Sequence, residues 1–151
     1  VAEFAYVRTN ARVEIHHADS REACFPPVDG IITSPPYVGL IDYHDQHAYA
    51  YHLLNLPDLS VREIGAASNG ASERAKAQYM ADIAAVFRRA LEVMPSNAPI
   101  IVVANDKHNL YPEIARQLDV VEEGVLHRHV NRRTGRRSTE FFESVFIWRK
   151  R

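Results

Sequence analysis

The stretch Asp29-Gly30-Ile31-Ile32-Thr33-Ser34-Pro35-Pro36-Tyr37 decides how this chain folds. Its first half is a short apolar run rich in β-branched residues, which predicts a strand. The strand must end before Pro35, because two consecutive prolines cannot donate to a ladder of backbone hydrogen bonds. A short strand that stops at a rigid turn is typical of an α/β sheet, where ligands bind outside the carboxyl ends of the strands.

Patterns on both sides of this stretch predict strands alternating with helices, which favours an α/β fold in a single domain over residues 1–151. Before it, residues 13–17 alternate as a strand and reach a turn at Ala18-Asp19-Ser20. After it we predict, in order, a helix over 40–56, a mobile loop over 57–72, a helix over 75–94 capped by Ser72, a strand buried on both faces over 99–104, a helix over 111–118, and strands over 122–130 and 139–148. The last two strands are close enough to form an antiparallel hairpin at one edge.

Composition excludes several classes of protein. The net charge of -1 and the pI near 6.8 do not indicate a strongly basic nucleic-acid-binding protein. Cys24 is the sole cysteine, which excludes an internal disulfide and a cysteine-built metal site and fits a reducing cytoplasm. No apolar run approaches the roughly 20 residues of a membrane span. His44 and His47 share a helical face but His52 does not, so we predict no metal site.

The four residues Ser34-Pro35-Pro36-Tyr37, called the motif below, suit the binding of an amine. The prolines leave a rigid row of backbone carbonyls without competing N–H groups. An amino group could donate one hydrogen bond to Ser34 Oγ and one to the Pro35 carbonyl, which would orient its lone pair. Tyr37 offers a flat face for a base, and such stacking contributes roughly 1–3 kcal/mol. These two acceptors and the aromatic ring suit the binding of a flipped base that carries an exocyclic amine.

The nine residues from Asp29 to Tyr37 resemble the catalytic motif of the amino-group DNA methyltransferases, which modify N4 of cytosine or N6 of adenine and carry Asp/Asn/Ser-Pro-Pro-Tyr/Phe. The resemblance covers about residues 12–150. It implies a partial Rossmann-like class I methyltransferase sheet, mainly parallel with a C-terminal antiparallel hairpin. It also implies DNA as partner, S-adenosyl-L-methionine as methyl donor, and direct transfer without a covalent enzyme intermediate. Catalytic roles fall on Ser34, Pro35, Pro36 and Tyr37.

On the cofactor side, the resemblance matches Asp19 to the acidic residue that contacts the adenine of the cofactor. The alternative for Asp19 is an N-cap on a following helix. The family's glycine-rich loop, which wraps the methionine part of the cofactor, has no counterpart among the six glycines. We therefore predict that a second chain or a missing N-terminal segment completes the cofactor site.

Further residues are predicted to contact substrate or DNA. Asp42, Tyr43 and His44 follow the motif closely enough to line the target pocket. Asn105 ends the strand over 99–104, where it touches substrate or, with Asp106, caps the next turn. A basic segment that also includes Arg128 predicts phosphate contacts by four arginines: Arg132, Arg133, Arg136 and Arg137.

Three alternatives stay open at this level. Ser34 at the first motif position slightly favours cytosine as the target base, although adenine enzymes also use serine. RNA could replace DNA, since the pocket receives a flipped base and not its sugar. The chain could also be a non-catalytic or split partner subunit of a modification system, which the missing glycine loop favours and the intact motif opposes.

Overall fold

The structure, a computed structural model, describes residues 10–130 and 141–151. Its elements in chain order are β1 (Ile31–Thr33), α1 (Tyr43–Gln46), α2 (Ala48–Leu53), α3 (Glu73–Glu92), β2 (Pro99–Ala104), α4 (Tyr111–Arg116), β3 (Val120–Val130) and β4 (Phe141–Lys150). Two short 3-10 helices, Ser60–Arg62 and Ala67–Asn69, lie between α2 and α3. The fold is therefore α/β, as predicted. Within the described residues, no helix is both long and apolar enough to cross a membrane.

The strands form one open sheet in the order β1-β2-β4-β3. β1 pairs with β2 in parallel, whereas β4 pairs antiparallel with both β2 and β3. The predicted hairpin at one edge is confirmed, but the described sheet is not mainly parallel. The predicted strand over residues 13–17 is irregular. A strand needs a neighbour for its backbone hydrogen bonds, and Val13 and Ile15 instead lie exposed.

Helices α3 and α4 pack on one face of the sheet. The register places Ile100 opposite Trp148 and Val102 opposite Phe146, and all four side chains are buried. The Trp148 ring meets the ring of Phe87 from α3 edge-on, with centroids 5.6 Å apart.

The other face of the sheet is less covered within the described residues. Ile101 and Val103 of β2 are half-buried, and Ile32 of β1 is 82% exposed. The prediction that residues 99–104 are buried on both faces is therefore wrong. Neighbouring strand side chains point to opposite faces, and the helices cover only one of them here.

The predicted helix over residues 40–56 is also divided. His47, at φ -107° and ψ 14°, separates α1 from α2. The carboxylate of Glu63 accepts hydrogen bonds from the backbone N–H groups of Tyr43 (2.6 Å) and His44 (3.3 Å), so the 57–72 segment supports the start of α1. The capped helix that follows is confirmed, because Ser72 Oγ accepts a hydrogen bond from the N–H of Ala75 at 3.2 Å.

Replacing Trp148 with Ala tests this core. Its side chain is fully buried, so the substitution should lower the free energy of unfolding by about 3–5 kcal/mol, through lost burial and the cavity left behind. Leu53→Ala is the control: the Leu53 side chain is 82% exposed, and its loss should cost no more than about 0.5 kcal/mol. Urea unfolding followed by circular dichroism measures both, and equal losses would contradict the described core.

Candidate active site at the carboxyl edge of the sheet

Strand direction gathers distant parts of the chain at one edge of the sheet. Because β1 and β2 run parallel, their carboxyl ends meet at this edge, and the motif and Asn105 follow directly. β4 runs antiparallel to β2, so it contributes its first residues there. The register pairs Ala104 with Ser144 and Arg128 with Glu143. Glu143 therefore lies on the same edge as the motif.

The motif backbone is held by a buried pair of tyrosines. The hydroxyl of Tyr79 on α3 donates a hydrogen bond to the Pro36 carbonyl at 2.8 Å. It also lies 2.8 Å from the hydroxyl of Tyr111 on α4. The two side chains are only 2% and 1% exposed. Burial raises the pKa of Tyr79 to about 12 and the pKa of Tyr111 further, so both hydroxyls stay protonated and able to donate.

A glycine makes room for the Tyr79 ring. Gly65 has a φ of +71°, in the left-handed region that favours glycine, and a Cβ built there would lie 2.9 Å from the ring. Its carbonyl accepts a hydrogen bond from the N–H of Gly39 at 2.8 Å. The 57–72 segment, the turn after the motif and α3 therefore meet around this one side chain.

Tyr37 of the motif is anchored to the hairpin. Its hydroxyl donates a hydrogen bond to Glu143 Oε1 at 2.8 Å, and the guanidinium of Arg128 binds Glu143 Oε2. Burial and the nearby Glu143 raise the pKa of Tyr37 to about 12, although hydrogen bonding with Ser34 opposes this. The hydrogen bond from Arg128 lowers the pKa of Glu143. Ser34 itself is exposed.

Two clefts adjoin the motif. The first has a volume of about 470 Å³ and is lined by Ser34, Pro35 and Pro36 together with apolar side chains such as Phe25 and Phe87. The second has a volume of about 410 Å³ and brings Pro36 together with Asp19, Tyr43 and His44. Both volumes lie in the range of ligand sites, roughly 300–1,000 Å³. The structure thus brings the predicted cofactor residue and two predicted substrate residues beside the motif.

Asp19 is fully engaged by arginines. Its Oδ1 accepts hydrogen bonds from the backbone N–H and the Nε–H of Arg21, both at 3.0 Å. Its Oδ2 lies 2.7 Å from Arg21 Nη2 and 2.9 Å from Arg62 Nη2. A carboxylate offers about four acceptor sites, and these contacts use them. Asp19 starts a turn and not a helix, since its carbonyl accepts from the N–H groups of Glu22 and Ala23.

Three other predicted site residues have protein partners. Asp42 Oδ1 accepts hydrogen bonds from the N–H and the hydroxyl of Ser68, both at 3.0 Å. His44 Nε2 accepts from the N–H of Leu59 at 3.2 Å. The Asn105 side-chain amide donates to the Phe142 carbonyl at 2.8 Å.

Of the remaining predicted site residues, Tyr43 keeps 37% of its surface exposed. Asp106, the neighbour of Asn105, caps α4 by accepting hydrogen bonds from the N–H groups of Leu110 and Tyr111. The arginines predicted to contact phosphates, Arg132, Arg133, Arg136 and Arg137, lie outside the described residues.

Sequence reasoning missed the residues that hold the motif. The local sequence does not distinguish Tyr79 or Tyr111 from ordinary packing residues. Glu143 carries a readable signal: it is the one carboxylate of β4, between Phe142 and Ser144 in a mainly apolar and aromatic strand. Such a residue in a strand needs a partner, but the sequence does not show that the partner is Tyr37.

Comparison with known proteins supplies one relative. The chain is 36% identical over 162 aligned positions to the type II methyltransferase M.MjaII of Methanocaldococcus jannaschii. The alignment covers 97% of this chain and 31% of that protein, so the chain spans about a third of its relative. No protein-family model matches the chain, and no solved structure matches it significantly.

Replacing Tyr79 with Phe tests the anchor of the motif. The substitution keeps the packed ring but leaves the Pro36 carbonyl and the Tyr111 hydroxyl without their shared partner. The free energy of unfolding should therefore fall by about 1–3 kcal/mol. Tyr49→Phe is the matched control, since Tyr49 is 70% exposed and should change stability little. Denaturant midpoints measure the difference. A Tyr79→Phe protein as stable as the control would show that this bond contributes nothing.

The ion pairs of Asp19 predict a pH dependence. The hydrogen bond from Arg21 lowers the pKa of Asp19 from 3.8 to about 2. A folded-state pKa below the unfolded one adds stability that is present above pH 3.8 and is lost as the pH falls towards 2. After screening by solvent, this stability is on the order of 1 kcal/mol.

Thermal unfolding from pH 6 down to about pH 2 checks this, because Asp19→Asn should remove that part of the stability loss below about pH 4. The control substitution Asp119→Asn, at an exposed position, should leave the dependence of thermal unfolding on pH as in the wild type. A profile that is identical for all three proteins would rule out the contribution.

Proposed function

We propose that this chain carries the target-base side of a methyltransferase that modifies an exocyclic amino group in DNA, N4 of cytosine or N6 of adenine. The observation that carries the proposal is the exposed Ser34 beside the rigid prolines, held at the carboxyl edge of the sheet by the Tyr79–Pro36 hydrogen bond. The similarity to a type II methyltransferase supports methyl transfer to DNA. S-adenosyl-L-methionine is the proposed methyl donor.

The residues of this chain would act by orienting the amine. One N–H would donate to Ser34 Oγ and the other to the Pro35 carbonyl, which leaves the nitrogen lone pair directed away from both. The ring of Tyr37 would stack on the base and hold its plane. The nucleophile is the base nitrogen itself, so no side chain has to form a covalent intermediate. The rigidity of two prolines matters here, because orientation is effective only when the groups cannot move apart.

The described residues do not fit a complete site for S-adenosyl-L-methionine, which when bound would supply an electrophilic methyl group. Arg21 and Arg62 already use the acceptor positions of Asp19. The described glycines are separated in sequence and form no glycine-rich loop after a strand, although Gly39, Gly65 and Gly70 meet beside the turn that follows the motif. We propose that a further segment or a second chain completes this side.

Two rivals predict different behaviour. Methylation of an RNA base would use the same pocket, since the motif contacts only the base. A non-catalytic partner subunit would keep the fold without turnover, and the occupied carboxylate of Asp19 favours that alternative. DNA remains the first choice because of the type II relative.

Replacing Ser34 with Ala tests the role of the motif. Removing one hydrogen bond to the reacting amine should lower kcat about 10- to 100-fold while the fold is kept. Ser96→Ala is the matched control, because Ser96 is exposed and precedes β2 at the opposite edge. Transfer of a labelled methyl group to cytosine- and adenine-containing DNA and RNA oligonucleotides measures the rate and identifies the substrate, with the chain assayed together with the segment or second chain that completes its cofactor site.

Isothermal calorimetry with S-adenosyl-L-methionine accompanies this assay. Tight binding by the 151-residue chain would refute the proposed completion by another segment or chain. Transfer to RNA alone would replace DNA as the substrate. Absence of transfer to every oligonucleotide by the completed protein, with the cofactor shown to bind, would reject the enzymatic proposal.

A further inference from the structure

Glu143 differs from the other acidic residues of the hairpin in what it binds. Its two oxygens have different partners, the Tyr37 hydroxyl on Oε1 and the Arg128 guanidinium on Oε2. Its side chain is 12% exposed, whereas that of Arg128 is 63% exposed. The carboxylate is therefore shielded on the side of the motif and neutralised from the solvent side.

By contrast, Glu123 on β3 pairs with Arg149 at 3.0 Å, and both side chains are well exposed at 43% and 36%. An exposed pair of that kind contributes little to stability. A surface ion pair would explain Glu123, but it does not explain why Glu143 turns one oxygen towards a motif residue 106 positions away.

The hydrogen bond to Glu143 restricts movement of the Tyr37 ring out of the position in which a base would stack on it. A tyrosine ring is fixed in a half-buried site only if packing or its hydroxyl holds it, and Tyr37 is half-buried. A charge-assisted O–H···O bond is among the stronger hydrogen bonds in proteins. With Pro35 and Pro36 holding the backbone before Tyr37, the hydroxyl bond fixes the far end of the ring. Because a phenolic O–H lies in the plane of its ring, the bond also favours the ring plane that points towards Glu143 Oε1.

We propose that Glu143, held by Arg128, is a positioning residue that fixes the Tyr37 ring in the plane against which the target base stacks. Glu143 acts through Tyr37 and does not touch the base. The inference rests on the proposed function for the nature of the ligand, a nucleobase. It adds that the β3–β4 hairpin, through Glu143, controls the position of the ring on which the base stacks.

The test measures stacking directly. The probe is a short single-stranded oligonucleotide that carries 2-aminopurine, whose fluorescence reports stacking on an aromatic ring. Glu143→Leu should weaken binding about 3- to 10-fold and reduce the fluorescence change, as an incompletely held ring forfeits part of the stacking. Glu143→Gln keeps an acceptor for the Tyr37 hydroxyl and should restore most of both signals. Glu123→Leu, the control on the same hairpin, should bind like the wild type.

A double-mutant cycle separates positioning from a general structural effect. In a Tyr37→Ala background, Glu143→Leu should have no further effect on binding, because the ring it positions is gone. An equal loss in both backgrounds, or no loss in either, would overturn the proposal. Arg128→Leu should lie between the wild type and Glu143→Leu. If it equals Glu143→Leu, Arg128 is required to hold the Glu143 carboxylate against Tyr37, as the proposal states.

A second readout does not depend on the proposed function. NMR of ring-labelled tyrosine, assigned with Tyr37→Phe, should show the Tyr37 resonance shift in Glu143→Leu and return in Glu143→Gln. An unchanged resonance would overturn the positioning role. If instead the resonance shifts as expected while the wild type binds no oligonucleotide, the assignment of a nucleobase ligand fails and with it the proposed function, whereas the contact stands.

Discussion

The hydroxyl of Tyr79 joins the packed core to the motif, and the geometry of the edge depends on it. α3 lies on the sheet through buried side chains that include Ile83, Phe87 and Leu91. Tyr79 belongs to the same face and reaches past the apolar layer to the Pro36 carbonyl. A buried carbonyl without a partner is costly, so the packing of α3 and the position of the motif stabilise each other. Any shift of α3 along the sheet would have to break this bond.

The directions of the strands account for the rest of the site. Parallel pairing of β1 with β2 puts the motif and Asn105 on one edge, and antiparallel pairing of β4 brings Glu143 to the same place. Tyr37 and Glu143 are 106 residues apart in the chain yet form a 2.8 Å hydrogen bond. The hairpin thus contacts the motif through Glu143 as well as forming the edge of the sheet. Its long strands make this possible, because a shorter pair would not extend to the motif.

The surroundings of Ser34 in the motif and those of Asp19 beside it differ in how far their polar groups are already paired. On the side proposed for the base, Ser34 is exposed and hydrogen-bonds with Tyr37. On the other side, Asp19, Arg21, Arg62 and Asp82 form a compact set of ion pairs that satisfy one another. A ligand that needs Asp19 must displace an arginine, at the cost of a charge-assisted hydrogen bond. In the proposed function, Ser34 would receive the target amine, whereas a ligand of Asp19 meets acceptor positions that arginines already occupy.

The sequence by itself determined the features that depend on neighbouring residues. The strand β1, its stop at Pro35, the Ser72 cap and the terminal hairpin follow from local backbone restrictions and from side-chain periodicity. The tertiary structure alone decided what those elements meet. Periodicity shows that β2 is apolar but not that only one face is covered. The alternation of residues 13–17 predicts a strand, but a strand does not form without a neighbour. Glu143 and Tyr79 acquire their roles through partners far away in the chain, and no local pattern specifies which distant group a hydroxyl or carboxylate will reach.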